Sequence, residues 1–181
     1  AGDHKSVRDR LENMMEADGD LDVQNFEEQL DTGGDLIRTI RSGKHFGAYT
    51  LIENVDTFVL CDEAKILEAH KRNEAEGALA TIVLSRRAKM PNENAWAIDA
   101  QGRVIGTREG GEQREVPENR IAYRATSAGI VVFNTEWLRK HPWNEADGKI
   151  SIYRNLLPEL VEQGAVYAYD NGELMVYDIG T

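Results

Sequence analysis

The most constraining feature of this chain is an alternation of short apolar runs with segments of helical spacing, joined by stretches long enough to cross a sheet. Ser6 to Met15 places Val7, Leu11, Met14 and Met15 on one helical face, and Leu21 to Phe26 alternates like a half-buried strand. Thr32-Gly33-Gly34 reads as a break, after which Leu36, Ile37 and Ile40 share the inner face of a short helix. Phe46 to Asn54 suits a strand covered on both faces. Asp62 can cap a helix carrying Ile66, Leu67 and Ala69, with Gly77 as its stop and Ala78 to Leu84 as the next strand. Such a pattern predicts an α/β layered sheet with parallel strands at its centre.

Later segments add antiparallel character. Trp96 to Asp99 and Arg103 to Ile105 flank Ala100-Gln101-Gly102 as a hairpin, and Gly129 to Phe133 is a short apolar strand. Ser151 can cap a helix that buries Ile152, Leu156, Leu157, Leu160 and Val161, with Pro158 dividing it and Gly164 ending it. Ala165 to Tyr169 and Glu173 to Tyr177 surround Asp170-Asn171-Gly172, a strong hairpin signal. No internal repeat or linker divides residues 1–181, so one domain is expected.

Charge narrows the function classes. The 32 acidic residues against 21 basic ones give a formal charge of -11, which opposes a nucleic-acid or anionic-membrane surface. A phosphate-bearing ligand must then be met locally or through a metal. The single cysteine, Cys61, cannot form an internal disulfide, and no apolar run reaches the length of a bilayer span; a cytoplasmic setting is expected. His4, His45, His70 and His141 lack metal-ligand spacing and read as surface or packing residues. Arg86-Arg87-Ala88-Lys89 is too short a basic run to argue for nucleic acid, Gly110-Gly111 is not a phosphate loop, and Trp96, Trp137 and Trp143 read as core or rim packing.

Two carboxylates stand where chemistry could gather. Asp56 follows a buried-type strand and Asp178 follows the final hairpin strand, so each could project from a strand end. Ligands of open α/β sheets collect beyond the carboxyl ends of strands, where two acids could hold a cation. By spacing alone this signal is weak, and both read more readily as exposed loop aspartates.

Four stretches, in order, carry a family likeness. Phe26 to Leu36, with Gln29-Leu30-Asp31-Thr32-Gly33-Gly34 at its heart, resembles the segment of sugar-nucleotide pyrophosphorylases that holds a Leu-Gly-Thr-(Ala/Gly)-Gly turn. Leu51 to Thr57 is similar to that family's apolar strand ending in Asn-Gly-Asp. Ser127 to Phe133 resembles its Asn-Ala-Gly-Ile-Tyr-Val-Phe strand, and Ser151 to Leu160 with Val176 to Thr181 resembles its late helix and terminal Asp-Ile-Gly-Thr.

The resemblance to these sugar-1-phosphate nucleotidyltransferases implies a three-layer Rossmann-like mixed sheet without its first strand. It implies Mg2+ bound by Asp56 and Asp178, a nucleotide near Gln29, Thr32, Gly33 and Gly34, and a sugar near Glu109 and Ser127. The expected substrates are a nucleoside triphosphate and a sugar 1-phosphate, with neither nucleic acid nor membrane as partner, and a homodimer is compatible with the family habit. Departures are Asp31 for the usual Gly, Val55 for the Gly before the metal Asp, Ser127 for a sugar-binding Asn, and Gly110 for the Lys that meets the sugar phosphate. Arg108 and Arg114 are candidate replacements for that Lys. The family's Gly-rich phosphate loop has no counterpart before Ser6, so the chain is expected to be an N-terminally incomplete domain. The rival expectation is a degenerate binding or regulatory subunit without catalysis.

Overall fold

The computed structural model describes residues 30–43, 46–54, 57–86, 95–107, 116–172 and 176–178. Their elements in chain order are α1 (Asp31–Arg41), β1 (Tyr49–Glu53), β2 (Thr57–Val59), α2 (Glu63–Glu74), β3 (Ala80–Ser85), β4 (Ala95–Ile98) and β5 (Val104–Thr107). They continue with β6 (Tyr123–Asn134), α3 (Thr135–Lys140), a π-helical turn Ile152–Leu156 that runs into α4 (Leu157–Glu162), β7 (Val166–Asp170) and β8 (Val176–Asp178). The expected helix from Ser6 and strand from Leu21 lie outside the described residues.

β6 is the organising strand. It pairs antiparallel with β3 on one edge, and on the other with β1 along Ile130–Asn134 and with β4 along Tyr123–Thr126. The path β5-β4-β6-β3-β7 completes the sheet, and β2 with β8 forms a separate ribbon. A single bridge between Arg103 and Tyr167, with the Ala168 N–H donating to the Gly102 carbonyl at 2.8 Å, brings the β4–β5 turn onto β7.

Strand periodicity makes the three layers. Ile82, Leu84, Val131 and Phe133 face one core with Ile37 and Ile40 of α1, Leu138 of α3 and Leu160 of α4. Val83, Ile130 and Val132, one residue out of phase, face another with Ile66 of α2 and Val59. Each fully buried Ile or Leu stabilises the fold by roughly 1.5–3 kcal/mol relative to exposure.

Several expectations are met with local causes visible. Asp62 caps α2 through the Lys65 N–H at 3.3 Å, and Gly77 leaves that helix at φ 95°. Pro158 stands in the first turn of α4, so the segment from Ser151 is split into a π turn and an α-helix. β4 and β5 pair as an antiparallel hairpin.

Four expectations are corrected. Among the described residues, the centre of the sheet is the antiparallel strand β6, and the one directly paired parallel couple is β3 with β7. β6 also starts at Tyr123, six residues before Gly129, because a bulge there (Gly129 φ 77°, register shifting between Ile82 and Leu84) lets one strand serve two neighbours at a bend.

Among the described residues, the hairpin expected around Asp170-Asn171-Gly172 does not form. β7 pairs with β3 and β8 pairs with β2. The turn residues are captured across the end of β3: the Asn171 N–H donates to Leu84 O, the Arg86 N–H donates to Gly172 O, and Asn171 Nδ2 donates to Leu60 O.

Thr32-Gly33-Gly34 is likewise no break but the first turn of α1. The N–H groups of Gly33 and Gly34, unpaired at any helix start, both donate to Ile150 O at 2.9 and 3.0 Å. Asp31 sits at φ 64°, in the left-handed region that favours glycine, and its Oδ1 accepts the Thr32 N–H at 2.7 Å. At the other end of α1, Arg41 donates to the carbonyls of Arg139 (3.2 Å), Trp143 (2.8 Å) and His141. The helix is thereby tied at both ends to the stretch between α3 and α4.

His70 supplies a pH signature. It is wholly buried, its Nδ1 pairs with Thr81 Oγ1 at 2.9 Å, and its Nε2 has no partner among the described residues. Burial pulls its pKa below the ordinary 6.5, against a smaller upward pull from Glu74. Below pH 6.5 the unfolded chain therefore takes up this proton before the folded one, and stability is lost as pH falls toward the folded pKa. Chemical denaturation between pH 7 and 5 should show that loss, and His70→Gln should flatten it.

Candidate functional site

β1 and β3 both run antiparallel to β6, and β3 runs parallel to β7, so these three strands point the same way. Their carboxyl ends are Glu53-Asn54, Ser85-Arg86 and Asp170-Asn171. That edge is where an open α/β sheet offers a crevice. The bulge of β6 lies beside it, with the Asn54 N–H donating to Gly129 O at 2.9 Å.

Ser127 is brought to this edge as the register partner of Leu84. Its Oγ accepts the Gly129 N–H at 3.1 Å, which ties the residue to the bulge. In the β2–β8 ribbon Thr57 is the register partner of Asp178, and one peptide bond separates Thr57 from Asp56. Asp56, Gln29 and Glu109 lie outside the described residues, as do Arg108 and Arg114.

Thr32, Gly33 and Gly34 pack against the stretch from Ile150 to Ile152. Thr32 Oγ1 accepts the Ile152 N–H at 3.1 Å, and a Cβ on Gly33 would stand 2.8 Å from Ile150 O. A Cβ on Gly34 would meet the Leu30 Cβ at 2.6 Å and Trp143 at 3.1 Å. The close approach these glycines permit is used by the chain itself on that side. Among the described residues no hydrogen bond joins this junction to the strand ends.

The crevice edge holds a cation that sequence reasoning set aside. Arg86, the residue after β3, is ion-paired with Asp170 at the end of β7, and its guanidinium lies 4.3 Å over the ring of Tyr123 at the start of β6. Burial, then the Asp170 charge, push the Tyr123 phenol above its usual pKa, partly opposed by Arg86. The signal in the sequence was position rather than motif: a basic residue directly following an apolar strand. Cys61, by contrast, is no ready nucleophile, because burial and then Glu53, Glu63 and Asp62 raise its pKa.

A second hollow, about 360 Å³, opens between the β4–β5 hairpin and the end of α4, lined by Asp99, Arg103, Arg120, Val161 and Gln163 among others. It also touches Gly164, which precedes β7, so it sits at the amino end of that strand. Among the described residues, no group of three or more His, Cys, Asp or Glu could hold a metal ion, and no helix is long and apolar enough to cross a membrane.

This arrangement is a three-layer, Rossmann-like mixed α/β sheet. Among solved structures, HddC from Yersinia pseudotuberculosis complexed with GMP-PN is similar at a TM-score of 0.67 and 18% identity, over 96% of this chain and 69% of that one. A further structure of HddC from the same organism gives 0.66 and 18%, over 95% and 68%. The inositol-1-phosphate CTP transferase from T. maritima gives 0.62 and 13%, over 97% and 66%. This chain therefore spans about two thirds of each of those proteins. No family model and no curated protein matches the sequence. At such identities the likeness is one of fold, and function has to be argued from the site.

Proposed function

We propose that this chain belongs to a nucleotidyl-transfer domain, which moves a nucleoside monophosphate from a nucleoside triphosphate to a sugar 1-phosphate with release of pyrophosphate. The observation that carries the reading is the pairing of Thr57 with Asp178, which sets Asp178 across the ribbon from the residue next to Asp56. The fold adds support, since its solved neighbours include a protein complexed with GMP-PN and a CTP transferase.

Two carboxylates offer the hard oxygen donors that Mg2+ takes, so the donor chemistry fits the ion. Held by Asp56 and Asp178, it would neutralise charge on the phosphates. The residues of the chain supply the rest by alignment, which is most of what phosphoryl chemistry asks of a protein. Ser127 would donate its hydroxyl proton to the sugar, Glu109 would accept from sugar hydroxyls, and Gln29 with the Thr32-Gly33-Gly34 turn would flank the nucleotide. The attacking sugar-phosphate oxygen forms its bond to the α-phosphorus as the bond to pyrophosphate breaks.

The test is a pyrophosphate-release screen of the protein that carries this chain, with each nucleoside triphosphate against mannose 1-phosphate, glucose 1-phosphate and inositol 1-phosphate. Turnover for one combination, dependent on Mg2+, is expected. Tight nucleotide binding with no turnover in any combination would overturn transfer in favour of a binding subunit.

A further inference from the structure

We propose that Arg86 is the side chain that receives the phosphate of the sugar 1-phosphate, a specificity determinant for a phosphorylated sugar. This rests on the nucleotidyl-transfer reading above. A protein of formal charge -11 repels a phosphate dianion, so a substrate of that kind needs a local cation. Of the described residues that end the three co-directional strands, namely Glu53, Asn54, Ser85, Arg86, Asp170 and Asn171, Arg86 alone is cationic.

Its position is on the sugar side. Leu84 and Ser85 of β3 are register partners of Ser127 and Thr126, and Arg86 follows directly. Its orientation is set from three directions: its N–H donates to Gly172 O at 3.1 Å, its Nη2 pairs with Asp170 Oδ2, and the Tyr123 ring lies beneath its guanidinium. Asp170 is itself steadied, because its Oδ1 accepts the Gly172 N–H at 2.9 Å. A guanidinium carries five N–H donors, and the Asp170 contact uses the Nη2 side. The Arg86 side chain remains 51% exposed, and a planar guanidinium suits a phosphate oxygen.

The alternative role is a latch that joins the ends of β3 and β7 and touches no ligand. Calorimetric titration of the full chain with mannose 1-phosphate and with glucose 1-phosphate separates the two, run beside a nucleoside triphosphate titration and thermal melts. With Arg86→Met the affinity for whichever sugar phosphate binds should fall at least tenfold, while nucleotide affinity holds within about twofold. Arg86→Lys, which keeps charge but not the planar fork, should fall between the two, and it decides the matter if Arg86→Met does not fold. In an active protein the same variants should raise KM for the sugar phosphate more than they lower kcat.

Unchanged sugar-phosphate affinity in Arg86→Met overturns the proposal, as does an equal loss of both ligands together with a lowered melting temperature. Neither sugar phosphate binding to the unsubstituted protein also overturns it. Sugar-phosphate binding that depends on Arg86, without turnover for any nucleotide, sustains the Arg86 assignment while the transfer reading fails.

Discussion

Asp56→Asn and Asp178→Asn are each expected to lower nucleotidyl transfer on the order of a thousandfold, about 4 kcal/mol of transition-state stabilisation, with the fold intact. Each substitution removes a charge that a magnesium ion would meet and leaves side-chain volume almost unchanged. The double variant should be scarcely worse than either single one, because two ligands of one ion act as a unit. Steady-state rates at saturating Mg2+, with circular dichroism as the folding control, measure this. Near-normal activity in either single variant, or losses that multiply, would sink the shared-ion proposal. The Thr57 to Asp178 pairing makes the expectation specific to this chain, since it joins segments more than a hundred residues apart.

Gly33→Ala should cost about 3 kcal/mol of stability, the upper end for overpacking a tight site. The new Cβ would stand 2.8 Å from the backbone oxygen of Ile150, and that oxygen already accepts from both Gly33 and Gly34. Relief requires moving backbone, which also strains the Ile150 N–H bond to Leu30 O at 3.0 Å. For a domain of this size the melting temperature should drop by roughly 6–12 °C. Gly43→Ala is the control: its φ is 84° but no described residue stands within 4 Å, so only about 1 kcal/mol of backbone strain is expected. Equal losses at the two positions would show that the Ile150 contact is not the cause. A loss of nucleotide affinity at Gly33 without a loss of stability would instead favour the ligand-side reading of this turn.

Local chemistry made much of the fold legible. The caps and stops of α2, the hairpin of β4 and β5 and the split at Pro158 each follow from a few neighbouring residues, and each stands where the sequence put it. What failed was pairing. Asp170-Asn171-Gly172 carries every mark of a hairpin turn, yet β7 and β8 belong to different sheets, because the turn's backbone groups find partners on Leu84 and Arg86. Thr32-Gly33-Gly34 looks like a break because glycine disfavours helices, and it becomes a helix start once Ile150 supplies the acceptor for its free N–H groups.

The site divides along the same line. Sequence alone determined the alternation that makes an α/β sheet, the carboxylates at Asp56 and Asp178, and a charge balance that demands local handling of any phosphate. Only the tertiary structure decided that Arg86, Asp170 and Tyr123 meet at one edge, since they come from three strands far apart in the chain. Periodicity reports which face of an element is buried, but strand order depends on hydrogen-bond partners that no local pattern encodes.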